Sequence, residues 1–219
     1  MLAELAVAPR FTHAQSRFRL ALPAAEIAYG IDRYFQKRIV FLLRDPKDTV
    51  VSNYHHVTKR GRHWQGDFKA FLRHSNYGFE RILAFHGAWL AAHNQFSRGF
   101  HVERYEDMRA DTATALVRIL GFLKMPAIPL AEIVASAERN QFDRMKARES
   151  SGELHALFQD RFRKTDVNEP LACQVRRGRV GGHRDDMDEE DITYCNDLMT
   201  RYGYDDMIES IKLQSRLHF

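Results

Sequence analysis

Hydrophobic positions follow two different spacings along this chain, and their alternation predicts its fold class. Two short runs, rich in β-branched and aromatic residues, predict strands at 38–43 and 99–105, and a further extended segment is predicted at 8–13. The first of these runs, RIVFLL, is apolar almost throughout, which is typical of a strand buried on both faces of a parallel sheet.

Longer stretches place apolar residues at i, i+3 and i+4, the spacing of a helix with one buried face. The clearest start signal follows the first strand, where Asp45 fits an N-cap, Pro46 the first helical position and Asp48 the third. Helices are predicted at 22–29, from 46 to about 58, and at 66–74, 78–96, 112–123, 129–139, 140–149 and 188–202. Strands that alternate with helices predict an α/β fold with a central, mostly parallel sheet flanked by helices. A stretch with few periodic signals, 150–187, is expected to form a long loop.

Length and composition restrict the class of protein. With 219 residues, 44% of them hydrophobic and 28% charged, the chain is expected to form one globular domain over residues 1–219. The net charge of +4 favours an anionic ligand but is too small to indicate nucleic acid by itself.

The cysteines and the N-terminal residues bear on the compartment. Cys173 and Cys195 form no C-x-x-C motif and no disulfide framework, which favours a reducing compartment. No apolar run approaches the roughly 20 residues of a membrane span, and the first ten residues lack the pattern of a signal peptide. We therefore expect a soluble, cytoplasmic protein without a membrane span.

The corner after the first predicted strand carries the first candidate chemistry. Arg44 follows the strand directly, and Ser52 lies eight positions later, in the predicted helix. Ligands of open α/β sheets bind beyond the carboxyl ends of the strands, where an arginine grips phosphate or sulfate through two parallel hydrogen bonds. The alternative is structural: Arg44 pairs with Asp48, and Ser52 is an ordinary helix residue. The spacing alone leaves both interpretations open.

A second cluster combines arginines and glycines in VRRGRVGGHRD (175–185). Glycines allow backbone amides to approach an anion closely, and arginines neutralise it. The alternatives are a solvated basic loop or a nucleic-acid patch. The acidic run that follows, DDMDEED (185–191), argues against nucleic acid and is expected to be a solvated cap of the last predicted helix.

The histidine-rich stretch HHVTKRGRHW (55–64) is interpreted as an exposed helix end and loop. A metal site is disfavoured there, because no carboxylate or cysteine ligand has the required spacing. No metal cofactor is therefore expected.

Five segments resemble, in order along the chain, the sulfotransferase family that uses 3′-phosphoadenosine 5′-phosphosulfate. The bacterial and cytosolic-type members are the most similar. The segments are PRFTHAQ (9–15), FLLRDPKDTVVSNY (41–54), VERYEDM (102–108), NQFDRMK (140–146) and RRGRVGG (176–182). The resemblance runs from about residue 8 to about residue 205 and implies the P-loop-NTPase-like sulfotransferase fold.

The resemblance also implies a role for each matching residue. His13 is the general base that takes a proton from the acceptor hydroxyl or amine, a role that suits an imidazole near neutral pH. The implied co-substrate is 3′-phosphoadenosine 5′-phosphosulfate, and the implied acceptor is a small molecule or a glycan. Tyr105 and Phe142 contact the adenine. The residues that hold the 3′-phosphate are Arg44, Ser52, Arg176, Arg177 and Gly178.

One family feature is missing from the sequence. Family members begin with a strand and a phosphosulfate loop of the type Tyr-Pro-Lys-Ser-Gly-Thr-Thr-Trp, and nothing similar precedes Pro9. We therefore expect an N-terminally truncated domain, without that strand and loop, that is poorly active by itself. The competing interpretation is a catalytically impaired, nucleotide-binding remnant of the same family. The sequence makes no prediction of the oligomeric state.

Overall fold

A two-stranded parallel sheet lies at the centre of the part of the protein that can be described. The computed structural model describes residues 31–60, 64–158 and 178–216. Strand β1 spans Ile39–Leu43 and β2 spans Phe100–Arg104, so the two main predicted strands are confirmed to within a residue at each end. The strands pair in parallel, from Ile39 opposite Phe100 to Leu43 opposite Arg104. The extended segment at 8–13 and the helix at 22–29 lie outside the described residues.

Helices surround this sheet, which confirms the mixed α/β class. In chain order they are α1 Pro46–His55, α2 Phe68–Leu72, α3 Phe79–Ala91, α4 Tyr105–Ala110, α5 Thr112–Phe122, α6 Leu130–Arg139, α7 Phe142–Ser150, α8 Glu153–Phe158, α9 Glu189–Arg201 and α10 Tyr204–Arg216. A π-helical segment, His56–Arg60, extends α1, and short 3₁₀ turns occupy Asp32–Tyr34, His93–Gln95 and Gly182–Asp185.

Three helices were not predicted. Helix α8 lies at the start of the stretch expected to be a loop, and α4 begins directly where β2 ends. Helix α10 follows α9 after a turn at Gly203, whose φ of +57° is the left-handed conformation that glycine adopts without strain.

The start of α1 matches its sequence signals. The Asp45 carboxylate accepts hydrogen bonds from the backbone N–H groups of Lys47 and Asp48, and Pro46 occupies the first turn. This cap fixes where β1 ends and α1 begins, and so fixes the direction in which Arg44 leaves the sheet.

One face of the sheet packs on α3. Phe41 and Leu43 belong to a buried cluster with Trp89 and Leu90, and the Phe41 and Trp89 rings stack with their centres 6.1 Å apart. The opposite face carries Glu103, which is buried and bonded by Arg118 of α5 at 2.5 Å and 3.2 Å. The strands are therefore held from both sides.

A second buried cluster joins α1, α2, α3 and α9. Its fully buried side chains include Val50, Phe71, Phe79, Leu83 and Cys195. Met207 and Ile208 of α10 contact both clusters, so α10 connects the helical core to the sheet. Within the described ranges no helix combines the length and the apolar character needed to cross a bilayer.

Candidate functional site

The carboxyl ends of the two strands meet at one edge of the sheet. Arg44 follows β1, Tyr105 follows β2, and the residues before them, Leu43 and Arg104, are register partners. The guanidinium carbon of Arg44 lies 4.5 Å from the centre of the Tyr105 ring, a cation–π contact. The neighbouring Asp45 N–H donates to the Glu106 carboxylate at 2.9 Å, which ties the two strand ends together a second time.

The guanidinium of Arg44 has spare hydrogen-bonding capacity. One terminal nitrogen donates to the Arg179 carbonyl at 3.4 Å and lies 3.5 Å from the Asp48 carboxylate, both long contacts. Its Nε is buried and has no hydrogen-bond partner within the described ranges. Buried N–H groups are nearly always paired, so this one, at the carboxyl edge of the sheet, leaves room for a further acceptor such as the oxygen of an anion.

Asp48 lies directly behind Arg44 and is buried. Its carboxylate accepts hydrogen bonds from the Gly181 N–H at 2.8 Å, the His183 N–H at 2.9 Å and the His183 Nδ1 at 2.9 Å. Burial by itself raises the pKa of Asp48, but the bonds from His183 and Gly181 and the charge of Arg44 outweigh it and leave the pKa below its ordinary value. Asp48 is therefore an ionised, well-satisfied carboxylate.

The role of Asp48 was not predicted. Asp48 falls in the first turn of the helix predicted from the sequence, where acidic residues are common. The sequence also allowed a purely structural pairing of Asp48 with Arg44. The structure contains that pairing, at 3.5 Å, but the shorter contacts of Asp48 go to residues more than 130 positions away. No local pattern encodes such a contact.

Ser52 is exposed on α1, two turns after the helix begins. Among the described residues its hydroxyl has no hydrogen-bond partner, so no hydrogen bond links it to Arg44 or Asp48. Its predicted part in holding a phosphate stays a prediction.

Phe142 and Gly178 are brought together although they are far apart in sequence. Gly178 has a φ of +57°, and its backbone lies so close to the Phe142 ring that a Cβ atom there would overlap it. On the same ring the guanidinium carbon of Arg109 lies 5.4 Å from the centre. Because Arg179 follows Gly178 and contacts Arg44, two consecutive residues join Phe142 to the end of β1. His13, Arg176 and Arg177 lie outside the described residues.

Two interpretations of the polar stretches need correction. His55 is buried, at 8% exposure, and its Nε2 lies 3.1 Å from Asp186, so the histidine-rich stretch does not begin as an exposed helix end. The acidic run is not simply a solvated cap. Asp188 does cap α9, but Asp191 is 2% exposed and bonded by Arg73 at 3.0 Å. The distant partner is the carboxylate of Asp186 in the first case and the guanidinium of Arg73 in the second, and the local sequence shows neither.

Metal-ligating side chains are not grouped in the described ranges: no three histidine, cysteine, aspartate or glutamate side chains there are arranged to hold a metal ion.

Known proteins resemble this chain in domain family and in fold. The family model described as the sulfotransferase domain matches residues 33–209. A search of curated proteins found no match.

Solved structures of similar fold include retinol dehydratase in complex with androsterone and the inactive cofactor PAP, with a TM-score of 0.59 and 23% identity over 75% of this chain. Another is mouse sulfotransferase SULT7A1 complexed with PAP, with a TM-score of 0.57 and 22% identity over 75% of this chain. The chain spans 47% of the length of the former and 58% of the latter. At this level of identity the similarity shows the fold.

Proposed function

This chain belongs to the sulfotransferase domain family, and from that premise we propose that it transfers a sulfuryl group from 3′-phosphoadenosine 5′-phosphosulfate to an acceptor hydroxyl or amine. The acceptor nucleophile attacks the sulfur, the bond from sulfur to the 5′-phosphate oxygen breaks, and 3′-phosphoadenosine 5′-phosphate (PAP) leaves. The acceptor proton goes to His13. Residues 1–219 act as one sulfotransferase domain, and the cytoplasmic location stays a prediction.

The unpaired, buried Nε of Arg44 is the observation that carries this proposal. Nε and a terminal nitrogen of a guanidinium point the same way and match two oxygens of a phosphate or sulfate. The Asp48 charge nearby does not cancel this attraction fully, because Asp48 is already bonded by Gly181 and His183. In this proposal Arg44 holds the 3′-phosphate, and Ser52, Arg176, Arg177 and Gly178 share that role.

Tyr105 and Phe142 are proposed to contact the adenine. In support of this, Tyr105 lies against Arg44, and Phe142 lies against Gly178, next to the carbonyl that Arg44 contacts. Aromatic rings close to a phosphate-binding arginine suit a purine nucleotide, whose base stacks while its phosphate is gripped.

Sulfuryl transfer of this kind needs positioning and charge stabilisation more than covalent chemistry from the protein, by analogy with phosphoryl transfer. The acceptor is proposed to be a small molecule or a glycan. The similar structures contain PAP, and those of retinol dehydratase contain androsterone or retinol, but these ligands belong to those proteins.

Thermal unfolding with PAP tests the nucleotide site. PAP is expected to raise the Tm of the parent protein in a concentration-dependent way, because a ligand that binds only the folded state stabilises it by about 2.7 kcal/mol at one hundred times its Kd. Arg44→Ala should abolish the shift and Arg44→Lys should restore little of it, since a lysine lacks the planar fork. Arg73→Ala, which removes an arginine from the α2–α9 contact, is the control and should keep the shift.

His13→Ala separates binding from turnover: it should bind PAP as the parent does and lose sulfuryl transfer, which a radiolabelled donor measures. An Arg44→Ala protein that binds PAP as tightly as the parent contradicts the assigned site.

The second candidate is a nucleotide-binding protein without turnover. It would use the same site at Arg44, whose unpaired Nε suits the phosphate of a bound nucleotide whether or not the sulfuryl group is transferred. PAP binding without sulfuryl transfer, both in this chain and in a version extended at its N-terminus by a family phosphosulfate loop, supports this candidate. Full activity of the 219-residue chain contradicts the expectation that it is poorly active by itself.

A further inference from the structure

The segment from Gly178 to Asp188, here called the late loop, is attached at both ends of α1. Near the first turn of the helix, Asp48 holds Gly181 and His183. At the last residue of the helix, His55 Nε2 lies 3.1 Å from Asp186. The late loop therefore runs along the helix that begins at the candidate phosphate site.

The attachment at Asp48 is the tighter of the two. The Asp48 side chain has no exposed surface, Oδ1 faces the backbone N–H and the ring Nδ1 of His183, and Oδ2 faces the Gly181 N–H. Gly181 has a φ of +71°, so the backbone turns there in a conformation that other residues rarely adopt. Backbone amides that converge on one carboxylate fix the position of the loop to within hydrogen-bond tolerance.

Asp48 is not needed to begin the helix. Asp45 already caps α1, with its carboxylate accepting from the Lys47 N–H at 2.7 Å and the Asp48 N–H at 3.3 Å. The Asp48 carboxylate instead points across to the late loop. A role in starting the helix therefore does not explain the contacts of Asp48 with the late loop.

The position of the late loop determines the surroundings of Arg44. Two residues before Gly181, the Arg179 carbonyl contacts the guanidinium of Arg44 at 3.4 Å. One residue earlier, Gly178 lies against Phe142. If the loop moved away from Asp48, both contacts would be lost together.

We propose that Asp48 is a positioning residue, which holds the late loop against the end of β1 so that the loop and Arg44 form one binding site for the ribose-linked phosphate. This inference rests on the proposed function for the identity of the ligand. His183 and Gly181 are the partners through which Asp48 acts, and none of the three contacts the nucleotide in this proposal.

The carboxylate of Asp48 lies close to the candidate phosphate site, so two roles can be distinguished. A role through its negative charge and a role in positioning the loop predict opposite changes in PAP affinity. If Asp48 acted on the phosphate only through its charge, Asp48→Asn would remove a repulsion and tighten the binding of PAP. If Asp48 positions the loop, the asparagine amide turns a donor toward a backbone N–H or the His183 ring, the loop shifts, and binding weakens.

Calorimetric titration with PAP and with adenosine 5′-phosphate, which lacks the 3′-phosphate, measures the effect. Asp48→Asn is expected to weaken PAP binding about tenfold, the loss of one charge-assisted hydrogen bond. The affinity for adenosine 5′-phosphate should change less than about twofold. Gly181→Ala is the second variant, since it disturbs the same contact from the loop side and leaves Asp48 in place.

Asp191→Asn is the matched control. Asp191 is buried to the same extent as Asp48, at 2% exposure, but its carboxylate is bonded by Arg73 and not by a residue of the late loop. Its loss should lower the Tm and leave the ratio of the two nucleotide affinities unchanged. Hydrogen exchange gives an independent reading without ligand: the Gly181 and His183 amides should exchange faster in Asp48→Asn than in the parent.

The outcomes separate the two proposals. A parent protein that binds no PAP overturns the proposed function and with it the ligand assigned here. A parent that binds PAP, with Asp48→Asn binding it equally or more tightly, overturns only the positioning role. Unchanged amide exchange at Gly181 and His183 in Asp48→Asn overturns the positioning role whatever the nucleotide does.

Discussion

The guanidinium of Arg44 lies over the ring of Tyr105, with 4.5 Å between the guanidinium carbon and the ring centre. The two residues are the first after neighbouring parallel strands, so the sheet itself brings them together. Arg44 is 24% exposed and contacts the Arg179 carbonyl from the same position. A cation held between a ring, a carbonyl and a carboxylate is oriented before any ligand arrives, which lowers the entropy lost on binding.

Replacement of Tyr105 tests this orientation. Tyr105→Leu removes the ring and a cation–π contact of about 0.5–1 kcal/mol, so PAP affinity should fall by about two- to fivefold. Tyr105→Phe keeps the ring and should bind PAP nearly as the parent does. Calorimetric titration measures both, and equal affinities of the Leu and Phe variants would show that the ring does not orient Arg44.

Ser52→Ala tests a side chain whose hydroxyl forms no hydrogen bond within the described residues. Because the Ser52 hydroxyl is exposed and has no partner in the described part of the chain, its loss should leave the free energy of unfolding unchanged or slightly raise it, since alanine favours helix. PAP affinity should fall about tenfold if the hydroxyl bonds a phosphate oxygen. Ser150→Ala, at another exposed helical serine, is the control. Equal PAP affinities of the two variants would show that Ser52 does not bind the phosphate and is an ordinary helix residue.

Gly178→Ala tests the contact between the late loop and Phe142. The new methyl group would overlap the ring, so the ring or the loop must move and PAP affinity should fall. The left-handed backbone adds a cost of about 1–2 kcal/mol to folding.

Gly203→Ala isolates the backbone effect. Gly203 has the same φ of +57°, and a methyl group added there would have no described atom within 4 Å beyond its chain neighbours. Both variants should unfold at lower denaturant concentration than the parent. Only Gly178→Ala should lose PAP affinity, and a loss in both would mean that the effect is one of general stability.

The buried His86 predicts how stability depends on pH. Burial lowers the pKa of His86 from 6.5 to about 4, and its Nδ1 lies 2.9 Å from the Tyr204 hydroxyl. Between these two pH values the unfolded chain binds a proton that the folded protein excludes, so the free energy of unfolding falls as the pH falls. At about 1.4 kcal/mol for each pKa unit, the loss between pH 7 and pH 5 is about 2 kcal/mol.

Urea denaturation at several pH values measures this slope. His86→Gln should flatten it between pH 7 and pH 5, because the glutamine side chain does not titrate. The lowered pKa of Asp48 affects the free energy of unfolding in a different pH range, below the ordinary pKa of 3.8, where the stabilisation is lost as the pH falls. A His86→Gln protein with the slope of the parent contradicts the assignment of the proton to His86.

Local signals in the sequence were sufficient for most helices and strands. The capping sequence at Asp45 and Pro46 and the apolar run before it placed β1 and α1 almost to the residue. Asp111 caps α5 by accepting from the Thr114 N–H at 3.0 Å, a local contact of the same kind. Helix α4 was missed because it begins directly at a strand end, and no capping side chain marks its start.

Contacts between distant residues could not be predicted from local pattern. Arg44 was identified as a candidate from its position after β1 and Gly178 from the arginine–glycine cluster, and the family resemblance added Tyr105 and Phe142. Asp48, His183 and the His55–Asp186 pair were not identified, because each depends on how a late segment packs on an early helix. A histidine in a polar stretch carries no local sign of the carboxylate that it meets.

The parallel pairing of β1 with β2 also has a kinetic consequence. The strands are separated by α1, α2 and α3, so a long stretch of chain must be ordered before Leu43 can pair with Arg104. Proteins dominated by such distant pairings fold more slowly than helical bundles of similar size, because the entropy of closing a long loop is lost before the contacts form. We expect the apolar β1 edge of a nascent chain to stay unpaired until β2 has been synthesised, so chaperones that mask such edges should raise the folding yield.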